Sequence, residues 1–166
     1  MSKVIVAKHN QPWSDLVMTP DLLATQIINH FNPTGTILDP CRGEGAFYNN
    51  YPKDCKKDWC ELDEGRNFFN FEGKVDWIIT NPPWSKIRQF IEYSTKIADN
   101  VVYLITINHM FTKARLRIIH NAGYKLKEFY CVPFPKHWTL QGMQLAAIHF
   151  QRGYDGGAII TGDIGK

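Results

Sequence analysis

Residues 101–107, Val-Val-Tyr-Leu-Ile-Thr-Ile, are nearly all apolar and mostly β-branched. A strand of that composition has no face to offer water, so it belongs in the middle of a sheet covered on both sides. Residues 36–38 and 76–80 are shorter strands of the same kind, and 58–61 is a further strand ending in an acid. Helical patterns separate them. Leu23, Ile27 and Phe31 recur every four residues, and Thr19-Pro20 before them reads as a cap and a first helical position. Residues 43–50 predict a short second helix. Ser85 reads as the cap of another, with Ile87, Phe90, Ile91 and Ile97 on one face. Residues 112–122 form the next, stopped by Gly123. Residues 124–132 and 145–150 read as two final strands joined by a loop containing Pro and Trp, an antiparallel hairpin. The tail beyond Gly153 is Gly-rich and expected to be loosely held. Such alternation predicts an α/β fold: a mostly parallel sheet with helices on both faces. Ligands of such sheets bind beyond the carboxyl ends of the strands, which selects the loops after Leu38, Glu61, Thr80 and Ile107.

With 166 residues and neither repeat nor linker, the chain reads as one domain over 1–166. A hydrophobic fraction of 44% excludes a disordered chain. Five Trp and ten Phe exceed what one small core needs and point to rings at a binding surface. The net charge of +3 suits a polyanionic partner but is far from a histone-like tail. No stretch approaches the roughly 20 apolar residues of a membrane span, and residues 1–6 are too polar for a signal peptide. A cytoplasmic location is expected. Cys41, Cys55, Cys60 and Cys131 form no CxxC pair and read as reduced thiols, with no metal site.

Three loops carry the chemistry. After the first strand comes Asp39-Pro40-Cys41-Arg42-Gly43-Glu44-Gly45-Ala46-Phe47. Its glycines allow a tight turn and close approach of a ligand to the backbone. A dinucleotide fingerprint would place a small residue at position 48, where Tyr48 stands. Asp39 at the strand end suits an ammonium group, which favours the zwitterionic methionine part of S-adenosylmethionine over a pyrophosphate. Glu61 can accept two hydrogen bonds from a ribose diol. Asn81-Pro82-Pro83-Trp84 then follows a hydrophobic strand. Neither proline can donate a hydrogen bond, so the Asn81 side-chain oxygen and the Pro82 carbonyl make a pair of acceptors for one NH2 group. Trp84 offers a face for a planar π system.

These residues resemble the class I S-adenosylmethionine-dependent amino-methyltransferases, above all the gamma-class N6-adenine methyltransferases of nucleic acids. Thr19-Pro20 is similar to their motif X, residues 39–47 to motif I, and Asn81 to Trp84 to motif IV, over roughly residues 13–152. The resemblance implies a class I methyltransferase (Rossmann-like) fold with S-adenosylmethionine held by Thr19, Pro20, Asp39, Pro40, Cys41, Gly43, Gly45, Glu61, Asn67, Phe68 and Asn81. Catalysis would fall to Asn81, Pro82 and Trp84. The substrate would be adenine in nucleic acid, DNA in preference to RNA, flipped or single-stranded, stacked on Trp84 and on either Phe134 or Trp138. Asn67 stands where the family usually has an acid, and the five residues between Glu61 and Asn67 leave no room for the usual helix. The chain also lacks room for a target-recognition domain, so a protein partner would supply recognition. Lys86, Arg88, Lys113 and Arg117 are candidate phosphate contacts, and His109 a residue lining the pocket. Two alternatives stay open: a protein glutamine N-methyltransferase and a catalytically silent methyltransferase-like subunit.

Overall fold

A computed structural model describes residues 17–138 and 143–164. The leader reading of residues 1–6 and the start of the resemblance at 13–16 lie outside the described residues. The elements run α1 (Asp21–Phe31), β1 (Thr36–Asp39), α2 (Ala46–Asn50), β2 (Lys56–Trp59), β3 (Val75–Thr80), α3 (Ile87–Ile97), β4 (Ala98–Thr106), α4 (Ile107–Met110), α5 (Lys113–Asn121), β5 (Tyr124–Val132), β6 (Leu145–Arg152) and β7 (Ile159–Gly162). The strands form one sheet in the order β2-β1-β3-β4-β6-β5-β7. Only β6 runs against its neighbours, β4 and β5. The expected mostly parallel sheet with an antiparallel hairpin is what forms.

The apolar strands explain the layering. Along β4, Val101, Tyr103 and Ile105 join Ile87, Phe90 and Ile91 of α3 and Ile119 of α5 in one buried cluster. The alternate residues Val102 and Leu104 join Leu23, Ala24, Ile27 and Ile28 of α1 and Phe47 of α2 in the other. Period-2 alternation thus feeds two cores at once, one on each face of the sheet. Burying a Leu or Ile side chain in such a core contributes about 1.5–3 kcal/mol.

Several boundaries differ from the sequence reading. The cap of α1 is Pro20, with no side-chain cap bond, and Thr19 is not the cap. Its hydroxyl is engaged elsewhere, as described below. Trp84–Lys86 is a 3-10 turn, so α3 begins at Ile87 and Ser85 is not its cap. The strand expected to reach Ile107 ends at Thr106, and α4 begins there. The tail is not simply loose: β7 pairs in parallel with β5, Ile160 opposite Phe129. With only Ile159, Ile160 and Thr161 before Gly162, the run is too short to register as a strand in the sequence. Between β2 and β3 the chain makes two 3-10 turns, Leu62–Glu64 and Phe68–Asn70, as the short spacing there implied.

Candidate active site

The chain leaves β1 for β2 on one side and returns to β3 on the other. That reversal opens a crevice at the carboxyl ends of the strands, the expected place for a ligand. A cleft of about 560 Å³ lies there, lined by Thr19, Pro20, Pro40, Cys41, Gly43, Glu61, Asn67, Phe68 and Asn81 among others. Nine residues predicted from sequence therefore meet in one cavity. Asp39, Gly45, Pro82, Trp84, Phe134 and Trp138 do not line it.

The loop after β1 places them. Gly43 has φ +53°, and a Cβ there would sit 3.3 Å from Met18 Sδ. Gly45, at φ +92°, caps α2 without reaching the cleft. Asp39 is only 1% exposed. Its Oδ1 accepts hydrogen bonds from Thr80 Oγ1 at 2.7 Å and from the Cys41 backbone N–H at 3.3 Å. The Asp39 carboxyl, expected to meet a ligand, thus lies outside the cleft lining and braces Cys41 and Thr80. Burial raises its pKa to about 7, opposed by the bonds from Thr80 and Cys41, with the Glu61 charge adding to the rise. The Cys41 thiol donates to the Asn81 carbonyl at 3.3 Å, and burial holds its pKa well above the ordinary value.

The opposite wall comes from the segment after β2. Glu61 caps the first 3-10 turn, and its Oε2 accepts the Gly43 N–H at 2.7 Å. A carboxylate has about four lone-pair sites, so acceptor capacity toward the cleft remains. Asn67 caps the second turn, accepting the Phe69 N–H at 3.0 Å. Leu62 is 60% exposed and lines the cleft with Asp63, Phe69 and Met18. Sequence reasoning missed Leu62, Asp63 and Met18, whereas Phe69 adjoins the predicted Asn67 and Phe68. An apolar residue directly after a strand-end acid was the available signal for Leu62; nothing local marks Met18.

On the third side, the Asn81 amide is locked in one orientation. Its Nδ2 donates to the Val17 carbonyl at 3.1 Å and to Thr19 Oγ1 at 3.2 Å, while Oδ1 accepts from the Trp84 indole N–H at 3.1 Å. A backbone carbonyl can only accept and an indole N–H can only donate, so the amide cannot flip without losing both. One lone pair of Oδ1 stays available.

Beyond Asn81 the rings gather. Trp84 lies 5.1 Å from His109 and 6.0 Å from Trp138, and Phe134 lies 5.8 Å from Trp138 (ring centroids), the last two pairs edge to face. Trp138 is 7% exposed and donates its indole N–H to the Met18 carbonyl. Trp84 and Phe134 are half-buried. His109 is hydrogen-bonded to Thr106 through Nδ1, and burial, then the Arg115 charge, lowers its pKa. Among the basic residues, Lys86 borders the cleft, Lys113 and Arg117 are exposed, Arg88 pairs with Glu92, and Arg115 is tied to the His109 carbonyl.

The four cysteines are free thiols. Among the described residues no group of three or more His, Cys, Asp or Glu could hold a metal ion, and no helix is long and apolar enough to cross a membrane.

No family model matches the chain, and no curated protein does. Solved structures do match. A candidate class I S-adenosylmethionine-dependent methyltransferase from Listeria monocytogenes superposes with a TM-score of 0.64 at 11% identity, over 92% of this chain and 68% of that one. A candidate RNA methyltransferase from Pyrococcus horikoshii gives 0.60 at 14% identity, over 89% of this chain and 93% of that one. The M protein of the type I restriction enzyme EcoKI gives 0.58 at 12% identity, over 85% of this chain but only 45% of that one. The fold is that of the class I, Rossmann-like methyltransferases.

Proposed function

We propose that this chain binds S-adenosylmethionine in the cleft and transfers its methyl group to the exocyclic amino group of adenine in nucleic acid, DNA in preference to RNA. The cleft volume falls within the range of about 300–1,000 Å³ common for cofactor sites. Its lining fits the group: Glu61 for a ribose diol, the apolar faces of Leu62 and Phe69 for a base, and a Gly43 turn at positive φ, where a Cβ would press on Met18 at the cleft. Fold neighbours that include a candidate RNA methyltransferase and a restriction-enzyme M protein support a nucleic-acid substrate.

The observation that carries the reading is the locked Asn81 amide on the Asn81-Pro82-Pro83-Trp84 turn. The bound cofactor supplies an electrophilic methyl on a sulfonium. Adenine's amino group is a poor nucleophile because its lone pair is delocalised into the ring. Accepting its N–H bonds at Asn81 Oδ1 and the Pro82 carbonyl localises that lone pair and stabilises the positive charge that develops on nitrogen. Preorientation of Asn81 by Thr19, Val17 and Trp84 means no reorganisation is needed at the moment of reaction. The proton leaves to water. The half-buried rings of Trp84 and Phe134 would flank the base, with buried Trp138 as their support. A base inside a duplex cannot reach such a site, so the substrate is single-stranded or flipped. A protein partner supplying target recognition belongs to the same proposal.

The test is purified chain with radiolabelled S-adenosylmethionine against pools of DNA, RNA and protein, with methylated products identified by mass. N6-methyladenine is the expected product. Labelled protein glutamine would move the assignment to that class, and cofactor binding without transfer to any pool would indicate a silent subunit.

A further inference from the structure

Beside the cleft, the exposed edge of the sheet carries a stack that the chemistry above does not use. Trp59, the last residue of β2, has two guanidinium groups over its ring: Arg42 at 3.9 Å and Arg66 at 4.2 Å from the centroid. Two cations on one indole would repel, but each has its own carboxylate: Glu64 for Arg42, and Asp58 at 2.7 Å for Arg66. Arg42 Nε is buried and has no hydrogen-bond partner, so the indole face is what it rests against.

The stack joins the two loops that frame the cleft. Arg42 belongs to the loop after β1, and its backbone N–H donates to the Cys60 carbonyl at 2.9 Å. Arg66 closes the loop after β2, pairing with Glu61 in an antiparallel bridge. Glu61 lies at the base of that loop and meets the next residue along, Gly43, through its carboxylate. Trp59, Glu64 and Arg66 themselves do not line the cleft.

We infer that Trp59 is a positioning residue for Glu61: by carrying Arg42 and Arg66 on its ring, it fixes the carboxylate relative to Gly43 and so sets recognition of the cofactor ribose. This rests on the cofactor reading proposed above. With no helix between β2 and β3, the stack supplies the rigidity this edge would otherwise lack.

Calorimetry with S-adenosylhomocysteine and with its analogue lacking both ribose hydroxyls separates positioning from general support. Trp59→Leu should bind S-adenosylhomocysteine about fivefold to tenfold more weakly, as loss of two partly exposed cation–π contacts allows. Its affinity for the dihydroxy-lacking analogue, which has nothing to offer Glu61, should match that of wild type. Trp59→Phe, which keeps a π face, should recover most of the loss. Arg66→Met removes one cation from a half-exposed position and should give the same ligand-selective pattern, should Trp59→Leu fail to fold. Equal losses for both ligands, or none for either, would overturn the inference while leaving the cofactor site standing. Wild-type protein that binds no S-adenosylhomocysteine would remove the cofactor reading itself, and the positioning role with it.

Discussion

The wall built from the loops after β1 and β2 is held by directional bonds to charged groups, whereas the wall beyond Asn81 is held by rings that meet edge to face. In the first, Glu61, Gly43, Arg42 and Glu64 each have a named partner, and losing one leaves a charge or donor unmatched. In the second, Trp138 is buried under Trp84 and Phe134, and contact is spread over many carbon atoms. A ligand with a fixed pattern of hydroxyls suits the first kind of wall. A flat base, recognised by its faces, suits the second. Asn81 stands where they meet, bonded to Thr19 on one side and Trp84 on the other.

The sharpest way to break that division is at the junction. Asn81→Ala removes the proposed acceptor of the reacting amino group, and turnover should fall about a hundredfold to a thousandfold, far more than cofactor affinity does. Single-turnover rates set beside calorimetry measure the two effects separately. Near-normal turnover would show that the acceptor lies elsewhere.

On the charged wall, Glu61→Ala should weaken cofactor binding by roughly tenfold to a hundredfold, the usual cost of losing a hydrogen bond to a charged group. The affinity for nucleic acid should stay put. On the ring wall the pattern should reverse. Phe134→Ala should raise the KM for a single-stranded oligonucleotide by about fivefold to a hundredfold, as loss of one base-stacking partner does, with cofactor affinity unchanged. If either substitution disturbs both ligands equally, the two walls are not independent.

The remaining effect is read in stability rather than in rate or binding. Asp39 has an ordinary value of 3.8 when unfolded and about 7 in the fold. The folded chain therefore holds this proton more tightly. The associated stability is present in full below about pH 4, is lost as pH rises toward 7, and stays lost above it. Asparagine can still accept from Thr80 and cannot ionise. Asp39→Asn should accordingly gain melting temperature relative to wild type between pH 5 and pH 8. Parallel melting curves across that range would mean the carboxyl is not buried as described.

How much was legible depended on the range of the interactions involved. The apolar run at 101–107 sufficed to place a central strand, because a segment with no polar face must be covered on both sides. The glycines at 43 and 45 and the two prolines after Asn81 likewise declared their turns, since backbone geometry is a property of the residue itself. The nine cleft residues were named by combining those turns with the resemblance to the amino-methyltransferases. What the sequence could not contain was which polar groups find each other across the fold. Thr19 looked like a helix cap, yet its hydroxyl binds Asn81, 62 positions away. Asp39 looked like a ligand contact, yet it lies outside the cleft lining, bonded to Thr80. Phe134 and Trp138 were indistinguishable in one loop until packing buried Trp138 and tied its indole N–H to the Met18 carbonyl, leaving Phe134 half-buried. Local conformation is settled by neighbours in the chain, whereas burial and long-range hydrogen bonding are settled by which elements the sheet order brings together.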